Sequence, residues 1–184
     1  MTDTRLSRCS FSDGLTRTSS ASAWATAWKK LLLAQDGSAT LICETLVGAK
    51  VQLDVLHQAE TTDVPASVKA HLAGDRFIER QVVMSFDGQV MMDNLTYIAL
   101  EGLDPTVKDH LENGTSPIGY IFDIKRTRKR AVPIRDDVLT GLWSRCGEPD
   151  PSSARTYVLE IENTSSMLIT EVFRAGMRYG LPSA

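Results

Sequence analysis

The sequence is short of most features that announce a chemistry. Only three cysteines occur, Cys9, Cys43 and Cys146, widely spaced and without a CxxC pair. An odd count at such spacing argues against a disulfide framework and against a zinc site. The three histidines, His57, His71 and His110, do not cluster, so no metal is expected. No run approaches the ~20 apolar residues that a membrane span needs. The N-terminus has no apolar signal-peptide core, which points to a cytosolic protein. The net charge of −3 offers no electrostatic case for nucleic acid. There is no GxxxxGK phosphate loop and no local signature of Ser-His-Asp or Cys-His catalysis.

What is present describes one ordinary globular domain. The 184 residues are 42% hydrophobic and 23% charged, enough apolar material for one core. Residues 1–22 are rich in Ser and Thr without a period and read as a tail that settles onto the domain near its end. Residues 23–184 read as the domain.

Periodicity assigns its elements. Trp24, Trp28, Leu31 and Leu32 recur at helical spacing, which predicts a helix over residues 21–34 with that stripe in the core. Thr40–Leu46 and Lys50–Leu56 read as two strands turned at Gly48. Residues 65–73 read as a short helix with Pro65 in its first turn. Arg76–Ser85 and Gln89–Leu100 flank Asp87-Gly88, a strong hairpin signal. Asp104–Glu112 reads as a helix ended by Asn113-Gly114, and Ser116-Pro117 opens another short one. Arg126–Arg135 is extended, and Pro133 limits it to an edge. Arg155–Glu162 and Ser166–Phe173 form a last hairpin. The expected class is α+β: a single antiparallel sheet of about six strands, with helices covering one face.

The sharpest clue is charge in the wrong place. Side chains two apart on a strand share a face. Arg80 therefore lies in line with Ile78, Val82 and Met84, Glu171 with Met167, Ile169 and Phe173, and Arg155 with Tyr157, Leu159 and Ile161. A buried charge is costly unless paired. Two readings remain open. In one, Arg80 or Arg155 pairs with Glu171 structurally, or each arginine snorkels at a strand end. In the other, the arginines form an anion pocket inside the fold, where the planar guanidinium grips a carboxylate. The basic run Lys125–Arg130 reads as a solvated edge strand, or turns Arg128 inward as a further anion ligand.

These residues also carry a resemblance to the chorismate pyruvate-lyase family, over roughly residues 24–174. Arg80 precedes an Asp87-Gly88 turn. Pro117-Ile118-Gly119 precedes the aromatic run Tyr120-Ile121-Phe122. Thr127-Arg128 is followed at a distance by Gly141-Leu142-Trp143. Leu168-Ile169-Thr170-Glu171-Val172-Phe173 fits the family's closing strand. A weaker match runs from Leu31 to Thr40. The resemblance implies the chorismate lyase-like fold with an internal ligand cavity, and cofactor-free elimination of pyruvate from chorismate to leave 4-hydroxybenzoate. It implies Arg80 as the ring-carboxylate anchor and Glu171 as the acidic residue facing the ring hydroxyl. It implies Ile118 and Gly119 at the ligand, and Thr127, Arg128 and Arg155 where the family has similar residues. Asp36–Ala39, with Gly37 and Ser38, and the Asp87–Asn94 region would be flaps over the site. One departure stands out. The Gly-Arg pair of characterised lyases falls on Asn94-Leu95, so the arginine for a second carboxylate is missing, and Arg128 and Arg155 are the candidates to replace it. The partner expected is a small anionic molecule. A non-catalytic binding module for aromatic carboxylates, or an enzyme of the same fold with another substrate, are the alternative readings. The oligomeric state is not legible.

Overall fold

The computed structural model describes residues 6–10, 19–112, 118 and 127–178. Its elements are α1 (Ser19–Ala34), α2 (Ala39–Val47), β1 (Gln52–Thr61), α3 (Ala66–Lys69), β2 (Phe77–Phe86), β3 (Gln89–Ala99), α4 (Pro105–Glu112), β4 (Thr127–Val132), α5 (Asp136–Cys146), β5 (Ala154–Ile161) and β6 (Thr164–Phe173). The six strands form one antiparallel sheet in the order β1-β2-β3-β6-β5-β4. The two inner strands, β3 and β6, are thus brought together from opposite halves of the chain.

Alternation along the strands assigns their side chains to two faces. One face packs Leu95, Tyr97, Val158, Leu168 and Val172 against Val68 of α3 and Val138, Leu139 and Leu142 of α5. Gly141 permits this approach: a Cβ there would stand 3.3 Å from the Tyr97 hydroxyl. The other face has two apolar clusters. Met84, Met92 and Phe173 meet α1 and α2, while Ile78, Ile98, Met167 and Ile169 meet α4. Helices therefore cover both faces, not the single face expected.

Three further expectations are corrected. Thr40–Leu46 is not a strand but the body of α2. Its buried residues Ala39, Thr40 and Cys43 follow a helical spacing, the Ser38 hydroxyl accepts from the Leu41 amide, and Gly48 closes the helix in the left-handed region. The strand after it begins only at Gln52. The Trp24 to Leu32 stripe does not enter the core whole. Leu32 is buried and Trp28 half-buried, but Trp24 and Leu31 are 76% and 61% exposed. The face turned inward runs Ala25-Trp28-Leu32, and the Trp28 indole donates to the Met177 carbonyl at 2.7 Å. Finally, α5 is a helix the sequence reading does not assign.

Within the segment read as a tail, residues 6–10 lie against the fold. The Ser7 amide donates to Gly88, and Ser7 accepts from Val90. Arg8 reaches Asp93 at 3.2 Å, and Asp93 in turn binds Arg174 at 2.7 Å, with both partners of that pair buried. After β6 the chain turns through Ala175–Arg178 tight against β3. A Cβ on Gly176 would lie 2.5 Å from the Val90 carbonyl oxygen, which is backbone and cannot swing aside.

Two outcomes are expected. Gly176→Ala should destabilise the protein by about 1–3 kcal/mol in urea titration. Burial pushes the Cys43 thiol up to about 12 and also raises Cys146, whereas Cys9 is exposed. Thiolate is the reactive form. Native protein at neutral pH should therefore titrate one thiol, Cys9, with Ellman's reagent, and all three in guanidinium.

Candidate functional site

Between the two apolar clusters of the α1/α2/α4 face, the sheet carries a polar band. The strand register builds it. Arg80 of β2 pairs with Thr96 of β3, Asn94 of β3 with Glu171 of β6, and Glu171 with Arg155 of β5. Each polar residue has an apolar neighbour on either side along its own strand, so the sequence alternation fixes the band in place. Arg80 is 2% exposed and Glu171 3%.

Arg80 and Glu171 line one cavity, whose wall also includes Met84, Asn94, Ile118, Lys129 and Tyr157. Ala39 and Thr40 of α2 cover it. The space enclosed is about 30 Å³, room for a water molecule and less than an aromatic ring needs. A ring-sized ligand enters only if the cover moves outward.

Glu171 is held from both sides. Arg155 Nε donates to Oε2 at 2.7 Å, with Nη2 2.6 Å from the same oxygen, and the Tyr157 hydroxyl donates to Oε1 at 2.9 Å. Arg155 also donates through Nη1 to the Leu32 carbonyl at 3.1 Å and to the Gln35 carbonyl, at the end of α1. Its ring contacts are with Tyr157 and Phe173, each centroid 5.3 Å away. Burial, with Glu171 next to it, holds the Tyr157 phenol well above its ordinary value, so it serves as a donor and not as an anion. On β3, the Thr96 hydroxyl donates to the Asn94 side-chain oxygen at 2.7 Å.

Two cations stand at opposite ends of the cavity. Burial pulls the Arg80 guanidinium down from its usual value. Lys129 is the one that sequence reasoning missed. Burial lowers its ammonium, with nearby Glu171 acting the other way. Lys129 Nζ sits 4.6 Å from the Tyr157 ring centroid and donates to the Gly37 carbonyl.

The expected residues fall as follows. Arg80, Glu171 and Ile118 line the cavity together, and Arg155 stands behind Glu171. Arg128 faces solvent, because strand alternation turns Thr127 and Lys129 toward the sheet face and Arg128 and Arg130 away. Arg128 therefore does not replace the missing arginine. The Gly37 carbonyl takes the Lys129 ammonium, while the Ser38 hydroxyl is occupied in capping α2. Asn94 belongs to the cavity wall, not to a flap. Gly119 lies outside the described residues. The signal for Lys129 was the period-two alternation of β4, once its register was known.

Among the described residues, no helix is long and apolar enough to cross a membrane.

Solved structures with a loose likeness to this chain include three regulators. PhnF from Mycobacterium smegmatis is 13% identical, with 77% of this chain and 65% of that one covered and a TM-score of 0.48. A GntR-family transcriptional regulator from Bacillus cereus is 9% identical, with 67% and 91% covered and a TM-score of 0.43. The ligand-binding domain of a GntR-family regulator from Bordetella bronchiseptica is 11% identical, with 67% and 85% covered and a TM-score of 0.41. No curated protein matches the chain. The sequence profile described as chorismate pyruvate-lyase, Rv2949c-like, matches residues 33–179. That span includes every wall residue named above and most of the chain, and the chain belongs to the Rv2949c-like chorismate pyruvate-lyase family.

Proposed function

We propose that this protein is a cofactor-independent lyase that eliminates pyruvate from chorismate, or from a closely similar carboxylated ring. The observation that carries this reading is the convergence of Arg80 and Glu171 on one enclosed cavity, in a chain of this family.

The chemistry asks little of a protein. The ring carbon that bears the hydroxyl loses its hydrogen as a proton. The carbon–oxygen bond to the enolpyruvyl group breaks, and the ring becomes aromatic. Enolpyruvate takes up a proton at carbon and leaves as pyruvate. The enzyme must align the leaving group, exclude water and match charge.

Each residue has a role in that scheme. Arg80 grips the ring carboxylate in a site where burial strengthens the attraction. Glu171 faces the ring hydroxyl, where it orients that group or accepts the proton. Arg155 and Tyr157 do not need to touch substrate. They fix the Glu171 carboxylate in one orientation, which is a positioning role. The narrow cavity makes opening of the α2 side part of every turnover, so release of the aromatic product would limit the rate.

The Asn94-Leu95 pair, in place of Gly-Arg, favours a second reading: a related ring or a non-catalytic binding site for aromatic carboxylates. Both readings meet in one assay. Purified protein at high concentration is mixed with chorismate, and pyruvate and 4-hydroxybenzoate are followed. Both products should form in equal amounts. Formation of neither, with a raised melting temperature in 4-hydroxybenzoate, would favour the binding site over the lyase.

Substitutions sharpen the test. Arg80→Ala and Glu171→Gln should each lower kcat/KM by about 100-fold or more while the protein stays folded by circular dichroism. Wild-type turnover in both would place the chemistry elsewhere. Tyr157→Phe leaves Oε1 of Glu171 without that donor and should cost about tenfold in kcat, a smaller loss than either.

A further inference from the structure

We propose that Lys129 receives the second carboxylate of a dianionic substrate, and that it does so by exchanging its present acceptor, the Gly37 carbonyl. This rests on the reading of the cavity as a site for a carboxylated ring, and it adds which cation meets the second charge.

The first support is a count of charge. Among the described residues at the cavity, Arg80, Lys129 and Arg155 are cations and Glu171 is an anion. Arg155 and Glu171 neutralise each other through their direct contact. The excess of two positive charges then sits at the two ends, on β2 and on β4. A ligand with one carboxylate matches half of it. A ligand with two matches all of it.

Spacing gives the second support. Arg80 and Lys129 lie on strands separated by three others in the sheet order. At ordinary strand spacing their main chains are about 19 Å apart. Both side chains reach inward to the same cavity. One carboxylate cannot serve two cations placed so, whereas a ring with a carboxylate at each end can.

The third support is the contact Lys129 makes now. Its acceptor is a neutral backbone oxygen in the turn between α1 and α2. A carboxylate is a stronger acceptor for an ammonium, the more so away from water. Substrate would take Lys129 from Gly37, and the turn over residues 35–38 would be released. Release there opens the side of the cavity that α2 covers, which supplies the room that 30 Å³ does not. The Tyr157 ring beneath the ammonium keeps the lysine stem lying along the wall during the exchange.

The test uses two ligands that cannot react. The first, 3-methoxybenzoate, has one carboxylate. The second, 3-(carboxymethoxy)benzoate, adds an ether-linked carboxylate. Binding of both is measured by calorimetry to wild type, Lys129→Met, Lys129→Gln, Lys129→Arg and Arg80→Ala. Wild type should prefer the dianion by about tenfold. Both neutral variants should bring that preference to within about twofold, while 3-methoxybenzoate binds them as it binds wild type. Lys129→Arg should keep the preference, and Arg80→Ala should weaken both ligands alike. The preference is a ratio within each variant, so a general loss of stability does not imitate it. If 3-methoxybenzoate binds wild type and the neutral variants keep the full preference, the Lys129 assignment falls and the carboxylated-ring reading stands. If wild type binds neither ligand, that reading falls and takes the assignment with it.

Discussion

A carboxylate at the centre of a packed sheet must be compensated there, and the pairing of Glu171 with Arg155 does this. Both groups are nearly withdrawn from water. Their mutual attraction is strong at 2.6 to 2.7 Å, yet so is the cost of dehydrating them. What tips the balance is the set of extra hydrogen bonds. Tyr157 takes the second carboxylate oxygen, and two carbonyls at the end of α1 take Nη1 of Arg155. Leaving either charge in place without its partner would bury it unmatched, at a cost of roughly 3–5 kcal/mol.

The same guanidinium links the site to the fold. Leu32 and Gln35 lie at the C-terminal end of α1, where carbonyls lack helical partners and the helix dipole is negative. Arg155 meets both needs at once: it balances Glu171 and finishes α1. From α1 a short turn leads to the Ser38 cap of α2, and α2 covers the cavity. The ion pair on the sheet therefore sets where the cover starts. A site of this kind cannot be weakened without loosening the helix pair above it, which ties stability and binding to one interaction.

How much of this was legible depends on the range of the forces involved. The antiparallel hairpins β2–β3 and β5–β6 were readable because Asp87-Gly88 and the alternation on each side are local signals. Arg80, Glu171 and Arg155 were readable as anomalies because one buried face fixes which side chains share it. Their meeting was not, since it depends on β3 pairing with β6 across some 75 residues of chain. The error at Thr40–Leu46 has a different cause. A short run rich in Leu, Ile, Val and Thr suits a strand and a buried helix equally, and the Ser38 cap and Gly48 were the deciding marks. The helix α5 bears Asp136 and Asp137 in its first turn, Arg145 in its last and Gly147 after it, so its signals were present in the sequence. Trp24 and Leu31 misled because helical spacing gives a stripe without saying which edge of it the sheet covers.

Arg128 and Lys129 show how much one residue of register decides. On an edge strand the two positions differ by a full reversal of direction, so one cation is solvated and its neighbour reaches the cavity. The consequence extends to how a ligand would lie. An arginine at position 94 would sit directly beside Glu171 and one strand from Arg155, crowding two guanidinium groups around one carboxylate. Asn94 removes that crowding. With the second positive charge moved out to β4, the field in the cavity runs across the strands from Arg80 to Lys129, not along β3. A dianion that follows this field lies with its long axis perpendicular to the strands, with its middle over β6, where Glu171 stands. The carboxylate is then set against the centre of the ring and not against its charged ends, which is where a group that handles a ring hydroxyl has to be.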